Sequence, residues 1–158
     1  YESSFSLKNS DLIYEENSIY FSNNKNEFFA LDERTGIIKW KQTLNSNLRP
    51  TYADGLVFTV TLEGYLVVID SRNGNIVRMT NIFEQIKNYK KNNIKPEGFI
   101  VAKDEIYLSL NNGKLIVIDI TTGRSKNILK IDNGKISRPY VLNNNMYIIR
   151  DNSIIKLN

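Results

Sequence analysis

The chain has 158 residues, 41% hydrophobic and 24% charged, with 21 Lys and Arg against 17 Asp and Glu for a net charge of +4. That balance describes one domain with a core and excludes a disordered polyampholyte, and no apolar run nears the roughly 20 residues of a membrane-spanning helix. Histidine and cysteine are both absent, which excludes thiol nucleophiles, disulfides, Cys/His zinc centres and histidine-based acid–base chemistry.

Residues 1–7 (YESSFSL) alternate polar and apolar side chains and read as a possible closing strand. The sequence opens at Tyr1 with neither Met nor a signal-type apolar segment, so a mature or trimmed form is expected. From about residue 11 to 43 a first unit carries apolar runs at 12–15, 19–22 and 28–31, then Asp32, Gly36 and a further run ending at Trp40. A second unit, about 49–80, repeats the order with runs at 51–53, 56–61 and 65–69, followed by Asp70 and Gly74. Residues 81–93 break the period. There Ile82, Phe83, Ile86 and Tyr89 share one side of a helical wheel and Glu84, Gln85, Lys87, Lys90 and Lys91 the other, which predicts a short amphipathic helix over 82–91. As a surface insertion it is expected to be dispensable for folding. The third unit, about 96–131, has runs at 99–102, 106–110 and 115–118, then Asp119 and Gly123. The fourth, about 137–158, has runs at 140–142, 146–150 and 154–157 and is incomplete, with Asn158 where the earlier copies have Asp.

The stretches EFFALDERTGIIKW, YLVVIDSRNGNIVR and KLIVIDITTGRSKN align without gaps, and their aspartates are spaced 38 and then 49 residues apart, the longer interval holding the insertion. In each copy Asp is placed to accept N–H groups of the turn that follows, and Gly to take the positive φ that closes it. Four short strands in about 40 residues, repeated, make the blade of a β-propeller. The expected fold is therefore all-β: about four blades of four antiparallel strands, part of a larger propeller, with one short helical insertion. Pro50, Pro96 and Pro139 each follow a cation, Arg49, Lys95 or Arg138, and are expected to stand just before the innermost strand of their copy.

At residues 30–40 the sequence ALDERTGIIKW resembles the repeat of the pyrroloquinoline-quinone-type β-propeller family, fitting at Ala30, Asp32, Thr35, Gly36 and Trp40 and departing at Ile37, where the repeat has Lys. Arg78 and Asn127 replace the docking tryptophan in later copies. The family contains cofactor-using dehydrogenases and non-enzymatic propellers. The resemblance is closest in character to the BamB outer-membrane assembly lipoproteins, which implies a non-catalytic scaffold that assists outer-membrane β-barrel assembly, periplasmic or outer-membrane-associated. The dehydrogenases hold their quinone between a tryptophan and a vicinal disulfide, and this chain has no cysteine, with its lone Trp40 in the docking motif. No enzyme activity and no cofactor is expected. The alternative is a ligand-sensing or quinoprotein-related propeller domain of a larger exported protein.

The repeated aspartates, with Gly36, Gly74, Gly123 and Trp40, are expected to be structural, and no catalytic, cofactor-binding or metal residues are assigned. Arg49, Lys95 and Arg138 are expected to converge on one rim of the central channel, where they would attract an anion or an acidic segment, with Tyr52 and Tyr140 lining it. Together with Lys87, Lys90 and Lys91 they form the expected partner-binding set. The partner is expected to be a protein; nucleic acid is not, because the basic residues form no dense stripe with aromatic platforms. A homodimer completing the propeller is also expected, since an incomplete ring exposes apolar blade faces.

Overall fold

The computed structural model describes residues 9–23, 25–87 and 93–157. Within them the chain forms four antiparallel sheets. Blade 1 comprises β1 (Ile13–Glu15), β2 (Ser18–Asn23), β3 (Glu27–Asp32) and β4 (Ile38–Thr43). Blade 2 comprises β5 (Thr51–Ala53), β6 (Leu56–Val60), β7 (Tyr65–Asp70) and β8 (Ile76–Asn81). Blade 3 holds β9 (Pro96–Ala102), β10 (Glu105–Leu110), β11 (Lys114–Asp119) and β12 (Ser125–Lys130), and blade 4 holds β13 (Tyr140–Leu142), β14 (Asn145–Arg150) and β15 (Ser153–Leu157). Each sheet runs in simple sequence order, as a propeller blade does.

Local chemistry sets the turns. The innermost hairpins close on residues that tolerate positive φ: Glu16 and Asn17, Asp54 and Gly55, Asn143 and Asn144, the two-residue geometry that matches strand twist. At the third-to-fourth strand turns, Gly36, Gly74 and Gly123 take φ of 68°, 76° and 70°. Each donates its N–H to the carbonyl of the preceding Asp32, Asp70 or Asp119 at 2.9 Å. A register shift follows at the same place in every complete blade, between Ala30 and Leu31, Val68 and Ile69, and Val117 and Ile118.

The core is three layers of blade-on-blade packing. Tyr20, Phe28, Ala30 and Trp40 of blade 1 meet Val57, Val67 and Ile69 of blade 2. Phe58, Val60, Leu66 and Val68 of blade 2 meet Ile106, Leu108 and Ile116 of blade 3. A smaller cluster, Leu115 and Ile148 with the linker residue Ile136, joins blades 3 and 4. The two end faces of the arc are thinner: Ile149 is 43% and Ile154 71% exposed on blade 4, while Phe21 and Phe29 stack on each other at 5.3 Å on blade 1.

The insertion differs from its expectation. Its described part holds one 3₁₀ turn, Phe83–Gln85, which ends at Ile86 in extended geometry (φ −100°, ψ 121°). Over the described residues the expected amphipathic helix is thus a single turn, whose Ile82, Phe83 and Ile86 are buried in the blade 2–blade 3 core. The ring of Phe83 stands directly on Gly64, where a Cβ would lie 2.2 Å from its Cγ. The described part of the segment fills the space between blades 2 and 3 rather than lying on the surface. Tyr89, Lys90 and Lys91 lie outside the described residues, as do the closing strand expected over 1–7 and Asn158.

Candidate functional site

Four antiparallel strands per blade send every linker back to one end of the arc, where each innermost strand begins; the Asp–Gly turns sit at the other end. The two ends differ in how their charged side chains are used.

At the turn end the three repeated carboxylates are occupied. Asp32 accepts the Thr35 N–H and hydroxyl at 2.9 and 2.8 Å, and Asp119 accepts the same pair from Thr122 at 2.7 and 2.8 Å. These bonds hold both carboxyls below the usual carboxylate range. Asp70 instead takes the Arg72 guanidinium in a fork, Nε at 3.1 Å and Nη2 at 2.8 Å, along with the Arg72 N–H at 2.9 Å. The guanidinium, and after it the backbone bond, brings the Asp70 pKa to about 2. Among the described residues no cluster of three acidic side chains is placed to hold a metal ion.

Trp40 reaches from blade 1 to the turn of blade 2. Its Nε1–H donates to the Ser71 carbonyl at 2.7 Å, and its ring covers Gly74, where a Cβ would lie 2.7 Å from Cδ2. Phe28 stacks on it nearly parallel at 6.0 Å and Tyr20 tilts against it at 5.8 Å.

At the linker end, strand pairing decides which residues meet. The innermost hairpins close at Glu15↔Ser18, Ala53↔Leu56, Ala102↔Glu105 and Leu142↔Asn145. Counting back the same distance from each gives Asp11, Arg49, Gly98 and Arg138. Lys95 is therefore not the blade 3 counterpart of Arg49 and Arg138, and the expected three-cation rim is corrected. Strand β9 is seven residues long and a bulge at Ser109/Leu110 pairs Leu110 with Pro96, which carries Lys95 three residues beyond the rim position. The glycine standing there instead makes room: a Cβ on Gly98 would lie 2.6 Å from the Arg138 Cβ and 3.0 Å from its Cα.

Arg138 is half-buried and donates from Nε to the Phe99 carbonyl at 2.9 Å. Burial lowers its pKa, the Arg49 charge lowers it further, and Tyr140 and Asp11 oppose the shift. Arg49 from blade 2, Arg138 from blade 4 and Asp11 from blade 1 thus share one rim electrostatically. Lys95 is exposed and lines a separate cleft of about 430 Å³ with Asn47, Leu48, Leu62, Pro96 and Glu97. Lys87 is exposed on the insertion. Tyr52 stacks on Tyr20 at 6.4 Å and so packs between blades rather than lining a channel, whereas Tyr140 is exposed. Sequence reasoning missed Asp11 and Gly98; the signal for Asp11 was its matching distance before the first innermost strand, but Gly98 lacked the Arg–Pro pair that marks blades 2 and 4.

A larger cleft, about 680 Å³, separates blades 3 and 4. On its wall Glu105 pairs with Lys126 at 2.6 Å and accepts the Tyr107 hydroxyl at 2.5 Å, which together with burial pushes the Tyr107 pKa up to about 12.

Residues 4–158 match the family model for outer membrane protein assembly factor BamB. The chain belongs to that family. Among solved structures, this BamB-family chain superposes on BamB from Moraxella catarrhalis with a TM-score of 0.76 at 14% identity, over 93% of its own length and 41% of that chain. The computationally designed Ika4 protein matches with a TM-score of 0.73 at 12% identity, over 98% of this chain and 91% of that one. A europium-containing methanol dehydrogenase matches at 0.59 and 18% identity, over 80% of this chain and 25% of that one. At these identities the solved structures establish the propeller fold. No curated protein matches the sequence. The chain spans less than half the length of the Moraxella protein.

Proposed function

We propose that this BamB-family chain is a non-catalytic protein-interaction scaffold of the cell envelope, periplasmic or outer-membrane-associated, that assists assembly of outer-membrane β-barrel proteins. The family match over residues 4–158 carries the reading. The use of the side chains supports it. The repeated carboxylates are taken up in capping turns and the one tryptophan in docking blades, which leaves as contact surface the basic linker end and the apolar end faces of the arc. On this reading a second copy covers the end faces, completing the propeller.

Affinity capture from an envelope extract with the tagged chain tests the scaffold role. Retention of outer-membrane assembly proteins, lost when the linker end is mutated, is the expected result. Saturable binding of pyrroloquinoline quinone with no protein captured would favour instead a quinoprotein-related ligand-binding domain, the class represented among the structural matches by the methanol dehydrogenase.

A further inference from the structure

The cations among the described residues differ in how they are held. Some on outer strands and turns are ion-paired, Lys39 with Asp32, Lys41 with Glu27, Arg72 with Asp70 and Lys126 with Glu105, and others, such as Arg78 and Lys130, donate to backbone carbonyls. At the linker end Lys135 pairs with Glu97 and Arg150 with Asp132, yet Arg49, Lys87, Lys95 and Arg138 make no ion pair with any described residue. Arg138 is the informative member. A half-buried guanidinium costs desolvation that a carboxylate partner would ordinarily offset. Here it is held instead by a neutral carbonyl, that of Phe99, over a glycine that leaves no room for any other residue, and the nearby charge of Arg49 opposes its own. Asp11 stands at the same rim without closing an ion pair to either arginine. Strand register puts Arg49 and Arg138 at equivalent rim positions of blades 2 and 4, where their like charges oppose each other at an electrostatic cost that a bound anion would relieve.

We propose that the linker end of the arc binds an acidic, extended polypeptide segment, with Arg49 and Arg138 gripping its carboxylates at the rim and Lys95 offering a further cation at the separate cleft between blades 2 and 3. Planar guanidinium groups suit carboxylates, which they can bind by two parallel hydrogen bonds. The cleft beside Lys95 adds Leu48, Leu62 and Pro96 as apolar lining beside Asn47 and Glu97, the latter already paired with Lys135, which fits a peptide chain better than a bare ion. This inference deepens the scaffold reading by naming the chemistry of the partner, and its test is independent of any captured protein.

A fluorescein-labelled peptide of alternating Glu and Gly, its Gln counterpart, a single-stranded oligonucleotide and vesicles rich in anionic lipid are titrated with the full chain at low and moderate salt. The expected result is saturable binding of the Glu peptide, weakened with salt, with little binding of the Gln peptide and weaker binding of the other two. Arg49→Glu, at an exposed position, is expected to weaken the Glu peptide about tenfold or more, while Arg72→Ala, which removes a cation already paired, leaves it unchanged. Arg138→Ala should do the same as Arg49→Glu; because it also removes the bond to Phe99, its melting curve is compared with that of wild type, and Arg49→Glu stands alone if it unfolds. Equal binding of the Gln peptide, an unaffected Arg49→Glu variant, or tighter binding of vesicles or oligonucleotide than of the Glu peptide would overturn the proposal. Envelope capture that succeeds while the Glu peptide fails to bind would leave the scaffold role standing and sink this one.

Discussion

Arg78 docks blade 2 onto blade 3 by the bond that Trp40 makes from blade 1 to blade 2. The indole donates to the Ser71 carbonyl, and the guanidinium, at the equivalent strand position, donates to the Ile120 carbonyl at 2.5 Å and also to that of Thr121. Ser71 and Ile120 each follow the repeated aspartate, so the acceptor is a fixed feature of the turn, and two unrelated side chains have been fitted to it. The difference is in what comes with the bond. Trp40 brings a buried ring, 7% exposed, whereas Arg78 brings a charge; the glycine carbonyl of the same turn is reached by a glutamine in both docks, Gln42 to Gly74 at 2.6 Å and Gln85 of the insertion to Gly123 at 3.4 Å.

Trp40→Ala should therefore cost about 3–5 kcal/mol, the range for truncating a buried aromatic. Arg78→Ala should cost about 1–2 kcal/mol, since it removes hydrogen bonds at a partly exposed site. Urea midpoints of the two variants compare the docks directly. A Trp40→Ala protein that melts like wild type would show that the indole does not hold the blades together.

Gly74→Ala and Gly36→Ala separate conformational from steric cost. Both sites have positive φ, but nothing lies within 4 Å of a Cβ at Gly36, while one at Gly74 collides with Trp40. The first substitution should cost about 1–2 kcal/mol for the left-handed backbone alone. The second should cost about 1–3 kcal/mol more through overpacking, and Trp40→Ala should remove that excess. Equal losses at the two glycines would mean the ring moves aside freely.

Much of this could be read from the chain, because the relevant information is local. The strand at Thr51–Ala53 and the one at Tyr140–Leu142 fall where the apolar runs put them, and Asp–Gly spacing marks every third-to-fourth strand turn. What could not be read depends on non-local pairing. Lys95–Pro96 looks like Arg49–Pro50 and Arg138–Pro139, yet its position is set by the bulge on β10 and the extra length of β9, neither of which has a signature near Lys95. The insertion misled for a related reason: the same spacing of Ile82, Phe83 and Ile86 that fits one side of a helix also fits a single turn whose apolar groups point into a gap between sheets.

Phe83→Ala should cost about 3–4 kcal/mol, and replacing residues 83–92 by a Gly/Ser linker should destabilise by at least as much, because Ile86 is lost from the same core. Thermal melts of both proteins, with Glu84→Ala as an exposed control, check this. A linker variant as stable as wild type would return the segment to the status of a surface loop.

Acid should act through the turn caps. Asp70 has its pKa depressed from 3.8 to about 2 in the folded chain, so its contribution to stability is fully present above about pH 4 and is lost as pH falls through about 2. Asp32 and Asp119 are shifted the same way by their threonines. Urea midpoints measured from neutral pH down to about pH 2 should show a declining acid limb that is shallower in Asp70→Asn. An identical limb in that variant would mean the Arg72 fork is not maintained in solution.

The end faces of the arc make the last prediction. Ile149 and Ile154 project from blade 4 on the side away from blade 3, and the Phe21–Phe29 pair lies on the side of blade 1 away from blade 2. In the interior of the arc the corresponding faces bury Leu66 and Leu115 toward the following blade and Val67 and Ile116 toward the preceding one. A two-fold arrangement that sets blade 4 of one copy against blade 1 of another would satisfy both faces twice, in a closed assembly with the same patch pair on each side. Light scattering at micromolar concentration should therefore give a dimer. Ile154→Lys, which places a charge on the more exposed of the two isoleucines, should shift it toward monomer without lowering the melting temperature measured at high dilution. A monomer at every concentration, with Ile154→Lys behaving as wild type, would show that something other than a second copy covers these faces.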